Sequence, residues 1–334
     1  MGVHKATFAN YILHFGDRVL VDYLESIVIP AFLDDRLIRT YRDVTTYRFH
    51  DASVVVLEHG DPPLVGIAGR LVKDTVLSRE QIFVPEKGLI RDEQSIASSP
   101  SSFFLLLLNN HRLVYVPETA HAPDLSAFKT TSAKFLREKH KQYINYIYDA
   151  EKEAGKSVTK RSLLDEHGYP SLEVIPLTST EDIETFLEGY DILESVTFRM
   201  VKPNEEIDGA EVFREVREFL GSMNPRNTRI ITRNADGLDK QGVVNVIHAA
   251  AAAGNQEVTL VGKDGHGNKM TGNNDEFKVV VEIRELPATK LGLTRSLYSL
   301  FRDLVEDGRI KVDQQTAAAK QKIADTLAKL METL

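Results

Sequence analysis

The sequence predicts an α+β or α/β protein of two segments, each a mixed sheet covered by helices, with further helices at the C-terminal end. Three observations carry that expectation. Short apolar runs bounded by Asn, Asp, Gly and Pro recur along the chain and read as strands. One long stretch, 124–153, repeats its apolar residues at three- and four-residue steps, the period of one helical face. A polar stretch from Gly155 to Pro170, punctuated by Gly and Pro, separates two halves that are each long enough for a core. The expected division is an N-terminal α+β domain at 1–155 ending in a long basic helix, a linker region at 156–170, and a C-terminal α/β domain at 171–334 with two terminal helices.

Residues 18–33 read as a helix, or a helix-to-strand junction, broken at Pro30. Residues 45–49, 54–57 and 64–67 read as strands, the last two separated by the turn signal Asp61-Pro62-Pro63. The Ser-rich stretch 90–102 reads as a loop. Residues 103–108 and 112–116 flank Asn109-Asn110-His111 and predict a hairpin. The apolar run puts Leu105 and Leu107 on one face and Leu106 and Leu108 on the other, so both faces are expected to be buried. Asp124 or Ser126 is placed to cap the long helix. A second helix covers roughly 160–166 and stops at His167-Gly168-Tyr169-Pro170.

In the second half, strands are expected at 172–176, 195–201 and 228–233. Helices are expected to open at Thr180 and to span 209–223 and 238–253. Residues 257–261 and 277–283 read as a hairpin across a long Gly/Asn loop. Leu293, Leu297, Leu300, Phe301 and Leu304 stripe one further helix, and Ile323, Leu327, Leu330, Met331 and Leu334 stripe the last. Such a stripe must bury against its own domain or a second copy, and a homodimer is expected.

Composition narrows the function classes. With no cysteine in 334 residues, disulfides, thiolate zinc sites and cysteine nucleophiles are excluded. The N-terminus shows no secretory signal or myristoylation pattern, and the longest apolar run is far short of a membrane span. A cytoplasmic protein that does not insert into membranes is expected. The net charge of −8 argues against a dedicated nucleic-acid binder until its distribution is considered. Between 128 and 161, nine Lys or Arg face four acids, a local balance of +5 that leaves −13 for the rest. Lys134, Arg137 and Lys141 stack on one helical face, with Lys139, Lys160 and Arg161 in the same segment. Such a stripe suits a phosphate backbone, and a plain solvated helix face is its structural alternative. Arg229 and Arg233 alternate to one side of a strand, as phosphate contacts or as ion-pair partners. Lys263 and Lys269, on the Gly-rich loop 262–272, complete the candidate nucleic-acid-binding set.

Patterns for catalysis are sparse. The Gly-rich loop has no Gly-Lys-Ser/Thr phosphate-loop ending, and His266 occupies a ligand position of a calcium loop. Asp264, Glu276 and Lys278 form a loose acidic, acidic-x-Lys layout of the kind metal-dependent nucleases use, two carboxylates for magnesium and a lysine for the attacking water. A flexible hairpin tip and a charged strand end explain the same residues without chemistry. Arg161 and His167 have the spacing of a helical ribonuclease pair, but a strand follows them. His140 reads as a core histidine. No catalytic residue, metal or cofactor is expected.

Residues 102–108, the turn and aromatic strand 112–116 and the segment 124–128, together with the element order of the second half, resemble the RexA-like prophage-encoded phage-exclusion proteins. The resemblance implies a two-domain, dimeric protein that binds double-stranded DNA in prophage-linked defence. It supplies no binding residue by motif. A non-enzymatic duplex-DNA binder is therefore the leading expectation. A metal-dependent nuclease built on the Glu-x-Lys hairpin, and a protein-interaction scaffold contacting partners through its leucine-striped helices, are the alternatives.

Overall fold

The computed structural model describes residues 3–202, 204, 215, 216, 219, 223, 228–251, 256–312 and 315–333. The fold is mixed α+β, with two antiparallel sheets and helices at the C-terminal end. In chain order, β1 (His4–Phe15) and β2 (Arg18–Val19) lead into a 3-10 and π-helical segment at 20–28 that continues as α1 (Ile29–Leu33). Next come β3 (Arg39–Tyr41), β4 (Thr45–Glu58), β5 (Leu64–Val84), β6 (Gly88–Ser98), β7 (Ser101–Leu107) and β8 (Arg112–Pro117). Helices α2 (Leu125–Glu153) and α3 (Lys160–His167) precede β9 (Pro170–Pro176) and α4 (Thr180–Glu188). Then follow β10 (Ile192–Met200), β11 (Thr228–Arg233), α5 (Lys240–Ala251), β12 (Gln256–Lys263), β13 (Lys269–Asn273), β14 (Val280–Ile283), α6 (Lys290–Glu306) and α7 (Ala317–Thr333).

The larger sheet runs β14-β1-β8-β7-β5-β4-β3, with β2 and β9 also on β1 and β6 on β5. It is covered on both faces. Phe104, Leu106 and Leu108 point into a core shared with the 20–33 segment, α2 and α7. Phe103, Leu105 and Leu107 point into a second core completed by Leu293, Leu297, Phe301 and Leu304 of α6. The split of this run between two buried faces is the one its unbroken hydrophobicity predicts. The smaller sheet, β11-β10-β12-β13, buries Val196, Phe198, Val258 and Leu260 under α4 and α5 and leaves Arg229, Ile231 and Arg233 exposed on its other face.

Several expectations are corrected. Residues 4–15, which the sequence pattern leaves unassigned, form the strand between β8 and the β9/β14 edge; they show no alternation because both faces are buried along most of their length. Pro30 does not break the helix: it follows the π-helical turn at 24–28 and lies in the first turn of α1, and the chain stays helical through to Leu33. The stretch expected as a loop at 90–102 is strand: β6 pairs with the outer half of β5 from Thr75↔Ser98 to Val84↔Gly88. Residues 45–57 form one strand with an irregularity at 50–53, where Asp51 has φ +50°. Across from it, a Cβ on Gly69 would lie 2.7 Å from the Cα of Ala52, so only glycine lets the strands approach. The hairpin partner of β12 is β13, and 280–283 crosses to β1 as β14. The helix expected at 209–223 falls largely outside the described residues.

The division expected at 156–170 is not where the sheets part. Asp124 caps α2 by accepting from the Ala127 N–H, and Gly168 ends α3 with φ +68°, as their residue types predict. Beyond them β9 pairs with β1 over seven residues, and β14, α6 and α7 return to the larger sheet. Both C-terminal apolar stripes are therefore internal. Ile323, Leu327 and Leu330 sit in the first core and Leu297 and Phe301 in the second. Leu334, the last residue of the second stripe, lies outside the described residues. Leu327→Ala is expected to cost about 2–5 kcal/mol by the cavity it leaves. Urea unfolding should show a lower midpoint, by the same amount relative to the wild-type chain at every protein concentration, whereas an interface residue would make the difference concentration-dependent.

Candidate nucleic-acid interface

Helix α2 is amphipathic, and its polar side divides the lysines that sequence alone treats alike. Phe128, Phe135, Leu136, His140 and Ile144 face inward, and Phe128 packs against Phe49, Phe104 and Tyr115. Lys134, Arg137 and Lys141 lie on the exposed side. Lys134 donates to the carbonyl of Ile38 at 3.1 Å. Arg137 and Lys141 make no ion pair among the described residues.

Lys139 does not belong with them. It is 8% exposed, and its Nζ is 2.5 Å from Asp34 Oδ2 and 3.2 Å from Gln142 Oε1. Arg36 closes on the same carboxylate with bonds of 2.8 and 2.9 Å. The expectation that Lys139 contacts nucleic acid is corrected, because its charge is spent on docking α2 against the chain after α1. The hydrogen bonds from Arg36 and then from Lys139 hold the Asp34 carboxyl well below the usual carboxylate range.

The second basic segment extends the stripe. Lys160 Nζ donates to Asn145 Oδ1 at 2.6 Å and lies over the Tyr148 ring. Asn145 is one helical step beyond Lys141, so Lys134, Arg137, Lys141 and the Lys160–Asn145 pair follow one line about 16 Å long. Arg161 is exposed beside it on α3. Sequence reasoning missed Arg36, 84% exposed in its side chain, which the contacts with Asp34 and Ile38 bring to the edge of this stripe. The basic run Arg36, Arg39 and Arg42 was the available signal.

On the smaller sheet, Arg229 and Arg233 are exposed on the open face, with Arg229 directly opposite Arg199. Neither forms an ion pair among the described residues; the neighbouring pairs belong to Arg199. Arg199 bonds Glu257 twice at 2.7 Å and Glu173 at 3.0 Å, and Glu173 also takes Lys129 from the first turns of α2. This chain of charges joins α2 to the two inner strands of the smaller sheet. Lys263 is occupied by Glu194 at 2.6 Å, which corrects its reading as a free contact, and Lys269 stands exposed across from it.

The nuclease pattern does not converge. Asp264 accepts from the backbone N–H groups of His266 and Asn268 and holds the β12–β13 turn. Glu276 lies past the other end of β13, about 16 Å of strand away, and accepts from Asn273 N–H at 2.7 Å. It borders a shallow depression of about 290 Å³ with Glu181, Asp182 and Arg309. Lys278 pairs with Asp275. Among the described residues, no three His, Asp or Glu are grouped to hold a metal ion. No helix among them is long and apolar enough to cross a membrane.

Fold and surface define a two-sheet α+β protein whose longest helix carries an exposed basic stripe. The chain belongs to the family described as a domain of unknown function (DUF4747), whose profile matches residues 78–302, from the outer half of β5 through most of α6. No curated protein matches it.

The division of lysines is testable by stability alone. Lys139→Ala is expected to cost about 1–3 kcal/mol, since it strips a buried carboxylate of one charged donor. Arg137→Ala should stay within about 0.5 kcal/mol. Because Asp34 is depressed in the folded state, its contribution is fully present above the unfolded carboxylate range and is lost as pH falls toward the folded value. The penalty of Lys139→Ala in chemical denaturation should therefore shrink on acidification below about pH 4.

Proposed function

We propose that this protein is a non-catalytic nucleic-acid-binding protein that tracks the backbone of duplex DNA along α2 with little sequence preference. The observation that carries the reading is the exposed stripe of Lys134, Arg137 and Lys141, continued by Lys160 and Arg161. A cationic line of about 16 Å faces roughly five base pairs of backbone. Side chains without carboxylate partners release counterions on binding, whereas an ion-paired lysine such as Lys139 or Lys263 must first give up its partner. Arg229, Arg233 and Lys269 on the open sheet are the second contact region of this proposal. The resemblance to RexA-like proteins supports the same reading and sets the proposed binding in prophage or anti-phage defence. A cytoplasmic location fits the cysteine-free composition.

In mobility-shift titrations, log affinity for duplex DNA should fall linearly with log salt concentration. Replacing Lys134, Arg137 and Lys141 together by Ala should weaken binding alike on unrelated sequences. It should also reduce the slope by about 0.9 for each phosphate that the variant no longer neutralises. Lys263→Ala should leave the slope as it is. Absence of any shift at low salt, or an unchanged slope in the triple variant, would overturn the assignment of α2.

A further inference from the structure

The most unusual surface lies away from the basic stripe. Beyond Asp74, β5 leaves β4 and β7 and is paired with β6 alone, forming a two-stranded arm about 30 Å long. Both outer edges of this ribbon are unpaired among the described residues. An isolated two-stranded ribbon is marginal in water, and this one holds large apolar side chains in the open. Leu77 is 37% exposed, Phe83 68%, Leu89 67% and Ile96 66%.

Register puts all four on one face. The rungs of that face are Leu77↔Ile96, Arg79↔Gln94, Gln81↔Arg91 and Phe83↔Leu89, with the extra residue of a bulge on β6 in the middle. The order apolar, Arg with Gln, Gln with Arg, apolar reads the same from either end. Such a face is its own complement. Turned over and reversed by a two-fold axis, Leu77 and Ile96 lie over Phe83 and Leu89 of the second copy, and each arginine lies over a glutamine. The charges are already balanced within the arm: Arg79 pairs with Asp92, and Arg91 bonds Glu93 at 2.8 Å. Across 75–98, Arg79, Lys87 and Arg91 stand against Glu80, Glu86, Asp92 and Glu93, which suits neither a nucleic acid nor a strongly charged partner.

We propose that the β5–β6 arm is a dimerisation element that packs face to face and antiparallel on the same arm of a second copy. The four apolar side chains supply on the order of 400 Å² per copy, and the Arg stems and Gln side chains bring the face toward the roughly 600–800 Å² of a modest specific interface. Reversed packing also sets the two protein bodies at opposite ends of the paired arms, where parallel packing would crowd them at one end. The inference stands independently of nucleic-acid binding.

Sedimentation velocity from about 1 to 200 μM should show a monomer giving way to a dimer. The double variant Phe83→Lys/Leu89→Lys should remain monomeric throughout, with unchanged circular dichroism and the melting temperature of the wild-type chain at concentrations where that chain is monomeric, because both side chains are exposed in the monomer. The absence of native cysteine allows the register to be read directly. Treating a mixture of the Leu77→Cys and Phe83→Cys variants with a short bis-maleimide should give a cross-linked dimer, and neither variant alone should cross-link. A wild-type chain that stays monomeric across the range, or a lysine variant that still dimerises, overturns the arm as the interface. Cross-linking of Phe83→Cys by itself overturns the antiparallel register.

Discussion

The backbone pairing of β1 is the constraint on which the rest of the fold depends. Three distant parts of the chain pair with this strand: β8 along one side, β9 and β14 in succession along the other. Where β8 ends, the Asn204 side chain takes over that edge. Its Oδ1 accepts from Leu13 N–H and its Nδ2 donates to the carbonyl of Tyr11, each at 3.3 Å. An amide side chain here does the work of a missing strand, so buried main-chain groups keep partners. The same strand positions Tyr11 against Phe32 and Phe128, and Phe8 against Phe301 of α6. The helices on both faces are thus seated on one strand, the second from the edge of the larger sheet.

The placement of α2 follows from that seat. Its inner side enters the aromatic cluster of Phe32, Phe49, Phe104 and Tyr115, where burial of several rings outweighs the cost of ordering a long helix. Polar fasteners then fix its rotation: Lys129 to Glu173 near its start, Lys139 to Asp34 at mid-length, and Lys160 to Asn145 beyond. With the rotation fixed, the remaining cations on the outer side have no choice but to face solvent together. A helix free to rotate would present no persistent line of charge.

The chain also separates its surfaces by composition. The basic stripe lies on a helix whose partner face is core, while the exposed apolar side chains at 75–98 sit on a ribbon that touches the core only at its root. The family match begins inside the arm and continues across α2 and the smaller sheet, so it spans both surfaces. Mixed charge on the arm and unpaired positive charge on the helix favour different kinds of contact.

The sequence by itself determined the α+β class, the hairpin at 101–117 with both faces buried, and helix α2 with its Asp124 cap. It also determined the Gly168 stop of α3 and the basic stripe. Each of these rests on a local rule: periodicity, a capping oxygen, or a left-handed backbone that glycine tolerates. Tertiary structure alone decided the rest. Residues 4–15 carry no alternation because they are buried on both sides, and Ser-rich 90–102 becomes strand because β5 runs on past the sheet to pair with it. Only packing could tell Lys139 from Lys141, two residues apart, because the distinction is made by Asp34, more than 100 positions away. The parting of Asp264 from Glu276 is equally non-local, since it depends on β13 pairing with β12 between them. Periodicity reports which face of an element is apolar; what that face meets is set by the chain as a whole.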